Sequence, residues 1–176
     1  VVENAFIPEH RTHRMSDAAA GTNPGLGRDN PLYRYPYWQL FLRAVSTAAI
    51  GGLQGMVDAF IHYGSARTAS SGQRTAGDPD ATLALAEAVA AIAEMQGTLE
   101  RNFARMGVAV HGGEPLSEHE RRLFKFQAAT VPRRCLALAT DLFAAAGGSG
   151  VFAGQPFGRF HNDLLTMGNH FANQYR

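Results

Sequence analysis

With 176 residues, 45% of them apolar and 18% charged, the chain is long enough to bury one good core and too short for several. A formal net charge of +1 gives no electrostatic reason to expect nucleic acid or an anionic membrane as partner. Cys135 is the lone cysteine, which excludes an intramolecular disulfide framework and a cysteine-rich metal site and fits a reducing, cytoplasmic setting; no run approaches the roughly 20 apolar residues of a membrane span, and no basic-then-apolar leader opens the chain.

In chain order, residues 1–7 form a β-prone run that stops at Pro8 with no partner strand after it. One strand cannot satisfy its own backbone, so a short orphan strand is expected, the end of a sheet belonging to a preceding β-domain. Glu9 to Pro36, rich in Arg, His, Gly, Asn and Pro, shows no sustained period and reads as a long linker loop. The expected division is therefore 1–36, the end of a β-domain plus linker, and 37–176, a helical domain.

From Tyr37 to about Arg67 the pattern turns helical, with Trp38, Phe41, Val45, Ala48, Gly52, Met56, Ala59 and Tyr63 spaced by three or four residues. Gly51, Gly52 and Gly55 each weaken such a helix by about 1 kcal/mol against alanine, which points to something packed closely on its backbone. After a Gly/Ser/Thr/Arg loop over 64–77, Asp78-Pro79 supplies an N-cap and a first-turn proline. The second helix carries the stripe Leu85, Val89, Ile92, Gln96, Leu99, Phe103 and Met106, with Gln96 its one polar member. Ser117 and Glu120 make a capping box for the third helix. Its stripe is Phe124, Ala128, Val131, Cys135, Leu138 and Leu142, crossed by Pro132, where a kink is expected. The turn Gly147-Gly148-Ser149-Gly150 stops that helix, and Pro156 opens the last. On the last helix Arg159, Asp163, Thr166 and His170 fall in one stripe, and Phe160, Leu164, Met167 and Phe171 in another. Four helices with short connections predict an all-α, up-and-down four-helix bundle.

Few residues invite chemistry. His10 and His13 lack the carboxylates or cysteines that would complete a metal site, and none is expected. Cys135, in an apolar stripe, reads as a small buried hydrophobe. The loop from Arg67 to Arg74, with two guanidiniums, the Ser71 hydroxyl and a glycine, suits a phosphate or diphosphate, although solvated helix connections have similar compositions. Arg159 and Asp163 have the spacing of an exposed ion pair worth a few tenths of a kcal/mol.

Six motifs in order carry a family resemblance across nearly the whole chain: Ala5 to Thr12, Pro31-Leu-Tyr-Arg34, Tyr63-Gly-Ser-Ala-Arg67, Asp78-Pro79, Ala145-Ala-Gly-Gly-Ser149, and Arg159-Phe-His-Asn-Asp163 leading to His170. Together they resemble the C-terminal helical domain of two-component (group D) flavin-dependent monooxygenases. These oxygenases, built on an acyl-CoA dehydrogenase fold, hydroxylate phenols such as 4-hydroxyphenylacetate or the phenolic steroid-ring catabolite. The resemblance implies a reduced flavin, FMN or FAD, delivered by a separate reductase, whose C4a-hydroperoxide passes its distal oxygen to a phenol ring. His170 is then the catalytic residue, and Trp38 and Phe171 wall the substrate pocket. Arg67, Ser71, Gly147 and Gly148 contact the cofactor, Arg67 in the oligomer often across a subunit boundary, and a homotetramer is implied. Acyl-CoA dehydrogenases, the nearest alternative, keep a glutamate base where Phe171 stands here and a glutamine at Ala144. A catalytically inert oligomerisation bundle is the other alternative, suited by the long apolar seams. The arginine that monooxygenases usually carry beside Asp163 is Asn162.

Overall fold

The computed structural model describes residues 2–20, 30–66 and 77–173. It is built from helices α1 (Met15–Ala20), α2 (Tyr37–Ala66), α3 (Pro79–Val110), α4 (Glu118–Ala145) and α5 (Phe157–Gly168), with 3-10 turns at Pro31–Arg34, Gly148–Val151 and Phe171–Asn173. Residues 2–7 are exposed, bend at Asn4 (φ 55°) and join no ladder, so the expected orphan strand is absent among the described residues. Pairing makes a strand, and β-propensity without a partner does not.

Helices α2 to α5 alternate in direction. Tyr63, near the end of α2, reaches the end of α4 by donating its hydroxyl to the Ala146 carbonyl at 2.9 Å. At the opposite end the Gln39 amide donates to the Arg121 carbonyl at 2.9 Å, joining the start of α2 to the start of α4. The helix starts follow from their caps. Asp78 accepts from the amides of Asp80 and Ala81 at 2.9 and 3.3 Å. The Ser117 hydroxyl accepts from the Glu120 amide at 3.1 Å while the Glu120 carboxylate accepts from the Ser117 amide at 2.7 Å, a complete capping box.

The buried face of α2 is Gln39, Leu42, Ser46, Ala49, Ile50, Leu53, Met56, Val57, Phe60 and Gly64, rotated by about one residue from the expected stripe. Only Met56 is fully buried in both. Three neighbours cover α2, so its buried face is broad, and Phe41, Gly52, Ala59 and Tyr63 lie half-buried on one side of it. There α5 crosses closely: a side-chain carbon on Gly55 would stand 2.8 Å from the Phe160 ring, and one on Gly52 3.2 Å from Leu164. The expected close approach is thus made at these two glycines, while Gly51 faces open space. By length and composition α2 is apolar enough to cross a bilayer, contrary to the expectation that no segment is. Its apolar face is nevertheless taken up by the other helices.

The seam of α3 is Ala81, Ala88, Ile92, Met95, Leu99, Met106 and Val110. Val89 is 49% exposed and Gln96 is exposed as well, so the expected polar intruder in the seam lies outside it. Helix α4 buries Phe124, Ala128, Val131, Cys135 and Leu142 as expected and runs through Pro132 without a break. The proline ring is buried in the core, and its missing N–H deprives the Ala128 carbonyl of a helical donor.

Between α3 and α4, Arg105 bonds Glu120 through Nε at 2.8 Å and the carbonyls of Glu114 and Pro115 at 3.0 and 3.2 Å. The Ser117 amide, then its hydroxyl, and the Arg105 guanidinium hold the Glu120 carboxyl below its ordinary 4.5. A carboxyl depressed on folding contributes stability that is present above the unfolded value and is lost as pH falls through the folded one. Thermal denaturation followed across the acid range should show a steeper loss for the parent below pH 4.5 than for Glu120→Gln, the two being furthest apart near neutrality. Parallel acid profiles would contradict this role for Glu120.

Candidate active site

The end of α5 and the start of α2 bring five rings together. Phe41 is the hub, 6.0 Å from Tyr37, 5.9 Å from Trp38, 5.8 Å from His170 and 5.7 Å from Phe171 between ring centroids. His170 and Phe171 are 4.7 Å apart at 34°. Three residues singled out from the sequence, Trp38, His170 and Phe171, therefore converge on one surface. Phe171 remains 61% and Trp38 39% exposed, so they form an open apolar wall with the half-buried imidazole at its inner edge.

His170 does not reach this wall by continuing the α5 stripe, as the spacing predicted. Helix α5 ends at Gly168, and the chain turns at Asn169, whose amide donates to the carbonyls of Leu165 and Thr166. Beyond the turn, the Ala172 amide donates to His170 Nδ1 at 3.2 Å. An accepting Nδ1 carries no hydrogen, so the neutral ring has its N–H at Nε2. Arg159 and Asp163 sit on α5, but their expected ion pair is not among those of the described residues, which are Arg105–Glu120, Arg122–Glu118 and Arg134–Glu94. The Arg159 guanidinium instead lies over the Phe160 ring, 5.2 Å from its centroid. An exposed i, i+4 attraction of a few tenths of a kcal/mol does not outweigh that contact.

Gly147 and Gly148, two of the residues expected to meet the cofactor, lie at the other end of the bundle, next to Ala146 where Tyr63 is bonded. Arg67 and Ser71 fall outside the described residues. Gly147 takes a left-handed φ of 68°, which favours glycine, and a side-chain carbon on Gly148 would meet nothing within 4 Å. Close by, a cleft of about 810 Å³ is bounded by Ala59, His62, Tyr63, Ala66 and Gly154 to Pro156. It opens where α2 ends, one residue before Arg67. Bare backbone beside an open cleft fits the approach of a phosphate group. The 22 residues of α2 from Phe41 to Tyr63 separate the aromatic wall from this cleft by about 33 Å.

Cys135 is fully buried, 4.0 Å from the Met95 sulfur, and burial pushes its thiol up to about 12, which makes it a packing residue and no nucleophile. Sequence periodicity singled out neither Tyr37 nor Phe41 as part of the site. Their signal was the density of aromatic residues between Tyr33 and Phe41, split over several helical faces.

The chain is similar to known proteins over nearly its whole length. The family model "Acyl-CoA dehydrogenase, C-terminal domain" matches residues 44–175. The pigment production hydroxylase of Rhodococcus sp. (strain ATCC 21145) is 29% identical over 171 residues, covering 96% of this chain and 44% of its own. The oxygenase subunit HsaA of a flavin-dependent monooxygenase from Rhodococcus jostii (strain RHA1) is 28% identical, with 98% and 46% covered. The crystal structure of 3-HSA hydroxylase from Rhodococcus sp. RHA1 superposes with a TM-score of 0.85 at 27% identity, covering 99% of this chain and 46% of that one. The chain thus spans about half the length of the curated relatives it matches. It belongs to the acyl-CoA dehydrogenase C-terminal domain family.

Proposed function

We propose that this chain is the C-terminal part of the oxygenase component of a two-component monooxygenase that hydroxylates a phenol with reduced flavin, FMN or FAD, supplied by a separate reductase. The observation that carries the reading is the half-buried His170 held against Phe41, Phe171 and their aromatic neighbours, in a chain whose relatives are hydroxylases. The alternative of a dehydrogenase finds no support at the same place, where Phe171 stands in the position of the carboxylate base. Residues 1–36 would connect this bundle to a preceding β-domain. A cytoplasmic setting is part of the proposal, supported by the lone buried thiol, and neither nucleic acid nor a membrane is among the proposed partners.

Bound reduced flavin would supply the electrons that activate dioxygen for transfer of one oxygen atom to the ring. The chain's own residues bind and orient. Trp38, Phe41 and Phe171 offer flat apolar faces to a phenol and keep water from one side of it. His170 Nε2 lies within the same cluster and donates a hydrogen bond when neutral; an imidazole so placed can also exchange a proton with the phenol or the reacting oxygen. Gly147, Gly148, Arg67 and Ser71 would hold the flavin's phosphate end. Since Gly147 and Gly148, beside Tyr63 at the end of α2, stand about 33 Å from the aromatic wall along that helix, one flavin does not reach both sets in one copy. A homotetramer in which one copy supplies the wall and another the phosphate contacts resolves the separation.

The deciding assay supplies the oxygenase that carries this chain with chemically reduced FMN or FAD, oxygen and a panel of phenols. Hydroxylated product detected by mass spectrometry is expected; none with any phenol overturns the proposal. Arg67→Ala should weaken reduced-flavin binding about tenfold or more, because a charge-assisted bond to phosphate contributes roughly 1.5–3 kcal/mol. Unchanged affinity by titration calorimetry returns that loop to a solvated connection.

A further inference from the structure

We propose that Asn173 is a positioning residue that sets the tautomer and orientation of His170; this rests on the reading of His170 as the group that faces the substrate. Asn173 clamps the turn beyond α5 from both sides of the histidine. Its side-chain amide donates from Nδ2 to the Met167 carbonyl at 2.7 Å, and its backbone amide donates to the His170 carbonyl at 2.9 Å. Met167 O also accepts from the His170 amide at 3.2 Å, so both lone pairs of one carbonyl tie the turn to the end of the helix. Closing the turn in this way brings the Ala172 amide, one residue before Asn173, to 3.2 Å from His170 Nδ1.

The direction of the Asn173 amide follows from its acceptor, because only the NH₂ side makes a bond to a carbonyl oxygen. Its Oδ1 is buried and has no hydrogen-bond partner among the described residues. A buried unpaired acceptor opposes stability, so the gain from the bond to Met167 is largely offset. What the side chain retains is conformational: it holds the Ala172 N–H on Nδ1. The ring is thereby kept with its hydrogen on Nε2, while Phe41 at 45° and Phe171 at 34° fix the ring plane. A histidine free to exchange tautomers would present a donor at Nε2 only part of the time. The clamp makes that atom a constant donor in the neutral ring.

The tautomer is read directly by long-range ¹H–¹⁵N correlation of the imidazole nitrogens in the ¹⁵N-labelled chain at a pH where the ring is neutral. The His170 signals are identified by their loss in His170→Ala. The parent should show an unprotonated Nδ1 and a protonated Nε2. Asn173→Ala and Asn173→Asp should move both nitrogens toward averaged positions as the tautomers mix, with the helical melting temperature close to the parent's. A parent ring with its hydrogen on Nδ1, or a pure Nε2–H signature retained in both variants, overturns the proposal. A fall in melting temperature with the tautomer unchanged also does so, since that is the signature of a purely structural residue. None of these measurements involves flavin or product, so a failure of the proposed hydroxylase activity is a separate result.

Discussion

His170→Ala, in the oxygenase proposed to carry this chain, is expected to leave the oxidation of reduced flavin close to its normal rate while lowering hydroxylated product per flavin oxidised about tenfold or more. The missing product should appear as hydrogen peroxide. The expectation follows from where the imidazole stands. It is half-buried against Phe41 and Phe171, with Nδ1 occupied by the Ala172 amide, so the Nε2 side is left for a reacting oxygen. A placed acid or base contributes typically about 10²–10⁴-fold to a proton-transfer step, whereas electron transfer from flavin to oxygen needs no such group. Product by chromatography and peroxide by a coupled peroxidase assay, measured on the same reaction, separate the two. His170→Gln refines the test: its amide donates a hydrogen bond but does not titrate, so partial recovery of yield identifies the hydrogen bond as the contribution. Normal product yield from His170→Ala would remove this residue from the mechanism.

The parts of the fold legible in the sequence are those set by short-range chemistry. Asp78-Pro79, the Ser117/Glu120 box and the Gly147 turn each lie within four residues of the backbone groups they satisfy, and all three stand where they were expected. Apolar faces were less legible wherever alanine forms the seam. In α3 the buried row contains Ala81, Ala88 and Met95, while the neighbouring row offers Val89 and Gln96. Valine outweighs alanine in any reading of hydrophobicity, although the smaller residue is the one that lets two helices approach. That something packs closely on α2 was visible because Gly52 and Gly55 are costly in a helix unless something lies against them, while its identity as α5 was not.

The candidate site was legible by resemblance more than by period. Helical spacing put His170 on the same stripe as Arg159 and Asp163, yet α5 stops at Gly168, and the ring arrives at Phe41 by way of a turn. Glycine at the end of a helix is a stop signal, and weighting it above the apolar repeat would have placed the boundary correctly. The hydrogen bond from Tyr63 to the Ala146 carbonyl has no local signal at all, since it joins residues 83 apart.

Phe157→Ala should destabilise the chain by about 3–5 kcal/mol, the usual range for removing a buried phenylalanine side chain and leaving a cavity. Phe157 is 0% exposed, and it opens α5, the helix that leads into the turn bearing His170 and Phe171. Its ring meets Tyr63 edge-on at 5.2 Å, Phe60 at 6.3 Å, and stacks on Phe143 at 6.2 Å, so three rings from two helices, α2 and α4, converge on it. The tight Gly150 turn, 3.6 Å from the ring at the position of a side-chain carbon, leaves the surroundings little room to collapse into the gap. For a chain of this size, each kcal/mol lowers the melting temperature by roughly 2–4 °C, so a fall on the order of 10 °C is expected in calorimetry. Phe152→Ala, at a ring 67% exposed, serves as the control and should stay within about 0.5 kcal/mol. Because α5 delivers His170 to Phe41, loosening its first turn should also broaden the His170 ring signals while leaving those of His111, beyond the end of α3, unchanged. A loss below about 1 kcal/mol for Phe157→Ala would mean that α5 is held elsewhere, and the aromatic wall at its far end would then owe nothing to this anchor.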